Sequence, residues 1–140
     1  SESYFEMFPK ETKSINIKDV DIPKLPSLET FMDLEELIMI RTNLCEIHPS
    51  IGKLTNMEIL ALPYNKISQI PKEIGLLKKL VFINLVGNKI TEIPEEISQL
   101  DKSNGGSLYK IAIKEEDIGK ENLLRLKKLL PTTEIANKNN

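Results

Sequence analysis

The chain has 140 residues, 19 basic and 21 acidic, with a formal net charge of −2. The two signs are interspersed, which excludes the basic stripe of a nucleic-acid surface and a polybasic membrane face. No apolar run approaches the roughly 18–20 residues a membrane span needs, and the length suits one domain burying about two-thirds of its unfolded surface.

Residues 1–13 read as an N-terminal cap. Tyr4, Phe5, Met7 and Phe8 crowd together here, although the chain has only four Phe and three Tyr. They suit a helical turn beginning at Ser1 or Ser3 and ended by Pro9, laid over one end of a core. A partner-binding peptide is the alternative. Ser1 in place of Met points to a segment removed ahead of it, so cytoplasmic and secreted locations both stay open. Residues 14–33 follow as a degenerate unit, with a strand near 14–18 and a return segment over 27–33 that gives Leu28 and Phe31 to the core. Asp19 and Asp21, either side of Val20, read as solvated carboxylates rather than a catalytic or calcium-binding pair.

Residues 34–56, 57–79 and 80–102 then repeat one pattern at a spacing of 23. Seven positions are apolar in every copy, among them Leu37/Leu60/Ile83, Met39/Leu62/Leu85 and Ile47/Ile70/Ile93. In a composition that is 40% hydrophobic, one further copy would match by chance about 0.002 of the time, so the repeat is not an accident. A period of this length marks a solenoid, whose units bury their apolar faces only by stacking. Within each copy, alternation at Leu60-Ala61-Leu62 or Ile83-Asn84-Leu85 predicts a short strand. A polar corner follows at Asn65 or Asn88, and Ile70-Pro71 or Ile93-Pro94 opens an extended or 3₁₀ return path. Successive strands therefore pair in parallel as a curved sheet. Thr42 stands at the asparagine position of the first copy, with Asn43 one place late. Cys45 reads as structural, and His48, aligned with Pro71 and Pro94, as a surface corner residue.

After Leu100 the period slips. Residues 103–107 read as a flexible insertion, and 103–118 as an irregular repeat with a strand near 109–114 and Glu116 at the asparagine position. An amphipathic helix is predicted over 117–130, with Leu123, Leu126 and Leu130 on one face and Pro131 as its stop. It lies in a C-terminal cap over 119–135, where 132–135 adds a short edge strand. Residues 136–140 read as a disordered polar tail.

The pattern L-x-x-L-x-L-x-x-N-x-I-x-x-I-P-x-x-I-x-x-L resembles the leucine-rich repeat. The match is to its 23-residue type with Ile-Pro in the return segment, as in the Ras-suppressor group and many small bacterial repeat proteins. The ending L-K-K-L-L-P…E-I looks like the C-terminal cap of the bacterial group. The resemblance implies an α/β fold: a right-handed solenoid with a curved parallel sheet of about five or six short strands and a C-terminal capping helix. It also implies that Asn65 and Asn88 point inward and bond the neighbouring turn as a ladder.

Strand alternation names the functional face. If Leu37, Leu60 and Ile83 point inward, the residues between and after them line the concave side. These are Ile38, Ile40, Arg41, Ile59, Ala61, Pro63, Tyr64, Phe82, Asn84 and Val86, an apolar patch rimmed by charges that include Lys18, Lys110 and Lys114. Such a patch marks an interaction site. No catalytic constellation, metal-ligand spacing or cofactor motif appears. The expectation is a non-enzymatic module that binds a protein or peptide on this face, or associates with itself through it. Membrane insertion and nucleic acid are not expected. The alternatives are an adaptor for a small GTPase, suggested by the Ras-suppressor resemblance, or the recognition domain of a secreted bacterial effector or surface protein.

Overall fold

A computed structural model describes residues 2–137. Six strands run in chain order across one parallel sheet: β1 Ser14–Lys18, β2 Glu36–Ile40, β3 Ile59–Ala61, β4 Phe82–Asn84, β5 Lys110–Ala112 and β6 Glu134–Ala136. Register is kept from coil to coil, so Ile15, Leu37, Leu60, Ile83, Ile111 and Ile135 stand in one column. Parallel strands cannot be joined by a tight hairpin. Here the connection is the rest of each repeat unit, and the sheet stays curved and unclosed as a solenoid.

Opposite the sheet, 3₁₀ helices at Pro49–Lys53, Lys72–Leu76 and Glu95–Leu100 stack on one another. Each follows a residue of nearly the same backbone conformation: His48 at φ −63, Pro71 at φ −68 and Pro94 at φ −73. The proline ring fixes that φ by itself. His48 reaches it without a ring and compensates with its side chain, since Nδ1 accepts a hydrogen bond from the Ser50 amide at 3.0 Å. His48 is therefore a half-buried helix cap rather than a bare surface residue.

The aliphatic columns fill the space between sheet and return path as one continuous cluster. At the N-terminal end a 3₁₀ helix, Glu2–Met7, buries Phe5 against it, with Tyr4 and Phe8 partly buried alongside. Ile118, Leu123, Leu126 and Leu130 close the other end. The helix expected over 117–130 is two: α1 Glu115–Ile118 and α2 Lys120–Leu129. Gly119 lies between them at φ 86, ψ 157, a conformation that only glycine adopts at low cost.

The insertion after Leu100 is a built turn. Lys102–Asn104 forms a 3₁₀ helix capped by Asp101, and Gly106 N and Leu108 N bond back to Asp101 O and Leu100 O at 3.0 and 2.9 Å. The Asp101 side chain is fully buried yet accepts five hydrogen bonds. Two come from Ser103 N and Oγ, two from Thr132 N and Oγ1, and one from Thr133 Oγ1. Burial alone would raise its pKa. The hydrogen bonds from Ser103, Thr132 and Thr133 outweigh burial and hold the carboxyl well below the usual carboxylate range. One carboxylate thus ties the insertion to the turn that precedes β6. Ala136 belongs to β6, so the expected tail over 136–140 begins inside a strand; residues 138–140, like Ser1, lie outside the described residues.

Candidate concave-face binding site

The corners that hold the concave face in place are built from buried side-chain amides. Asn65 Oδ1 accepts from Thr42 N at 2.8 Å, Thr42 Oγ1 at 2.9 Å and Leu44 N at 3.1 Å, while Nδ2 donates to Met39 O at 2.8 Å. Asn88 does the same one coil on, accepting from Ile67 N at 3.0 Å and donating to Leu62 O at 2.8 Å. Each Oδ1 serves the coil before its own, while Nδ2 donates both to that coil and within its own, to Leu62 O and Pro63 O from Asn65 and to Leu85 O from Asn88. The coil of Thr42 is therefore supplied by Asn65, and Thr42 O accepts from Ile22 N through backbone alone at 2.8 Å. At the C-terminal corner Glu116 is exposed, and Asp117 beside it accepts from Gly87 N at 2.8 Å.

Just beyond each of the first four strands the chain turns through the left-handed region: Asp19 at φ 58, Arg41 at φ 52, Tyr64 at φ 57 and Gly87 at φ 80. Only the last of these is a residue that adopts it without strain. A Cβ on Gly87 would stand 2.5 Å from Tyr64 Cδ1, so the bare glycine is what lets the tyrosine ring lie down over the next coil. Arg41 Nε donates to Asp19 Oδ1 at 2.8 Å. That hydrogen bond lowers the Asp19 pKa and raises that of Arg41.

A groove of about 870 Å³ runs across the concave side of the sheet, from Lys18 at the end of β1 to β6. Seven of the expected residues line it: Ile40, Arg41, Pro63, Tyr64, Phe82, Asn84 and Val86. Ile38, Ile59 and Ala61 do not; they lie on β2 and β3, with Ala61 and also Pro63 buried. Ile40, Phe82 and Val86 are half-exposed, and Tyr64 is 52% exposed. The Asn84 side chain is turned back on its own strand, accepting from Val86 N at 3.1 Å. Lys18, Lys110, Ala112 and Lys114 extend the groove, and Glu134, Ile135, Ala136 and Asn137 form its far side. The β6 contribution escaped sequence reasoning. The signal lay in Ile135-Ala136, which reproduces Ile111-Ala112 and pairs with it in register.

The lining has no histidine, cysteine, serine or threonine. Among the described residues no group of three or more metal-ligating side chains stands together, and no helix is long and apolar enough to cross a membrane.

One short strand per coil, an asparagine-filled corner and an aliphatic interior define a solenoid of the leucine-rich type. No protein-family model matches the sequence, and no curated protein does. Among solved structures the fold is similar to a leucine-rich-repeat protein of Leptospira interrogans. That likeness has a TM-score of 0.73 and 25% identity, and covers 90% of this chain and 37% of that one. It is also similar to an internalin of Listeria monocytogenes, with a TM-score of 0.55 and 19% identity over 86% of this chain and 34% of that one. This chain thus spans little more than a third of either neighbour's length. Repeat, register and structural likeness together give it the leucine-rich-repeat fold.

Proposed function

We propose that this chain is a non-enzymatic interaction module that takes a protein or peptide partner in the concave groove. One observation carries the reading. The interior column from Ile15 to Ile111 is fully buried, whereas Ile40, Phe82 and Val86 on the other side of the sheet stay half-exposed in an open groove rimmed by charge. Apolar area held at the water boundary by a rigid sheet costs little to preorganise and is available to a partner. The composition of the lining, mostly cations and apolar side chains, fits recognition rather than catalysis.

A photoreactive phenylalanine analogue at position 82, and another at Leu76 on the return side, test this in lysate of the source cell. Crosslinks are expected from position 82, displaced by excess unlabelled chain, and not from position 76. For the captured partner, Phe82→Ala should cost about 2 kcal/mol of binding, some thirtyfold in Kd, at nearly unchanged stability. Equal crosslinking from both positions would place the site elsewhere.

A further inference from the structure

We propose that the occupant of the groove is an extended, acidic segment of a partner protein, an inference that rests on the concave-face reading above. Charge complementarity carries it. In a chain of net charge −2, the groove is lined, among the described residues, by four cations, Lys18, Arg41, Lys110 and Lys114, and by one carboxylate, Glu134. Carboxylates already present take up only part of that charge. Asp19 holds Arg41 at 2.8 Å, but Glu134 stands 3.5 Å from Lys110 and Glu116 stands 3.9 Å from Lys114. Those two separations exceed the roughly 2.7–2.9 Å of a charge-assisted hydrogen bond, and each ammonium has three N–H groups to give. Both lysines therefore keep donors for an incoming carboxylate.

The spacing sets the length of the segment. Lys18 and Lys114 hold equivalent places on the first and fifth coils, each four residues beyond the in-register pair Ser14 and Lys110, and so stand four steps apart. At about 4.8 Å per step this is about 19 Å, the reach of about six extended residues. Carboxylates that far apart can meet the two cationic ends while apolar side chains between them rest on Phe82 and Val86. Among the described residues Tyr64 and Phe82 are the two rings of the lining, and its other apolar side chains are aliphatic, which seats apolar side chains and provides no row of rings for stacking bases. Two large side chains, those of Arg41 and Tyr64, are kept at the groove's lip in a backbone conformation that Gly87 adopts freely one coil on. Retained strain at a groove is where binding residues are found.

Random dodecapeptides displayed on phage, selected on the chain and counter-selected on Phe82→Ala, provide the test. Phe82-dependent peptides are expected to carry carboxylates about six residues apart around an apolar residue. Lys110→Glu with Lys114→Glu should weaken a synthesised winner at least about tenfold, and Lys110→Gln with Lys114→Gln less, with urea midpoints confirming that both variants fold. Phe82-dependent peptides that are neutral or basic would overturn the acidic inference and leave the concave-face reading standing. No such peptide, while position 82 still crosslinks a partner, overturns the linear segment alone; loss of both overturns the two readings together. A dimer in sedimentation that Phe82→Ala abolishes would give the groove to a second copy. Displacement of the winning peptide by an equal concentration of oligothymidine would give it to nucleic acid. Either result overturns the proposal.

Discussion

The corner amides permit the sharpest test of how this solenoid is held together. Asn65→Ala removes an acceptor used by the buried amides of Thr42 and Leu44, and a donor used by Met39 O. Among the described residues nothing else bonds those two N–H groups. A buried donor left unsatisfied costs about 1–3 kcal/mol, so two of them with one carbonyl give about 4 kcal/mol. Asn88→Ala strands one such amide, that of Ile67, and the carbonyl of Leu85, while Leu62 O keeps its bond from Asn65 Nδ2; carbonyls tolerate loss better than amides do, and about 2 kcal/mol is expected. The order is therefore Asn65→Ala below Asn88→Ala below the native chain, although the two residues look alike in sequence. Equilibrium urea unfolding at pH 7, followed by far-UV circular dichroism, measures both differences. An Asn65→Ala cost under about 1 kcal/mol, or the reverse order, would mean that the aliphatic columns alone fix the corners.

Three further outcomes are expected. Asp101 has its pKa lowered on folding, so its contribution is complete above the unfolded value near pH 4 and is lost as pH falls toward the folded one. Asp101→Asn should therefore unfold at lower urea than the native chain at pH 7, with the gap narrowing between about pH 4 and pH 2.5; a constant gap would contradict the linkage. Tyr64→Gly should be more stable than Tyr64→Ala by about 1 kcal/mol, because both lose the ring and only alanine keeps the strain at φ 57, and equal thermal midpoints would refute the assignment. His48→Pro should be tolerated within about 0.5 kcal/mol, since φ is already −63, whereas His48→Ala loses its cap and about 1 kcal/mol; urea titration of the pair decides, and the opposite order would sink the reasoning.

The stacked part of the fold was legible because one residue class recurs at one period. A parallel solenoid turns equal spacing in the chain into equal position in the sheet, so the column from Ile15 to Ile111 can be written before any coordinate is known. What could not be read depends on partners far apart in sequence. The insertion over 103–107 has the composition of a loose loop, and it is ordered by a carboxylate whose other donors, Thr132 and Thr133, lie 31 and 32 residues on. Thr42 looked like a gap in the ladder only if each amide serves its own coil; the bonds run backward, so the residue that matters to that corner is Asn65. The groove was located by alternation but its extent was not. Alternation says which way a side chain points and nothing of how far its neighbours overhang it. Ala61 and Pro63 point to the concave side and are buried all the same. A last edge strand over 132–135 is legible in the sequence, but not that it forms the far side of the groove.

The two faces of the sheet are under different physical constraints, and this is what makes the binding reading testable without a known partner. Side chains of the interior column have no exposed area to lose, so a change there alters stability first. Half-exposed Phe82 and Val86 contribute less to the core, and truncating them should leave the stack nearly as stable. Tyr64 stands between the two cases. Its ring covers Gly87 and so ties adjacent coils, yet it is held at φ 57 and is half in solvent, an arrangement that stability alone does not favour. If the tyrosine were there only to bridge coils, Tyr64→Gly would lower stability by more than the relief of strain restores. If it is there to meet a partner, the same change should leave stability nearly level and weaken capture at position 82. The pair of measurements separates these cases, because strain relief and lost packing act on folding whereas the exposed face of the ring acts only on binding.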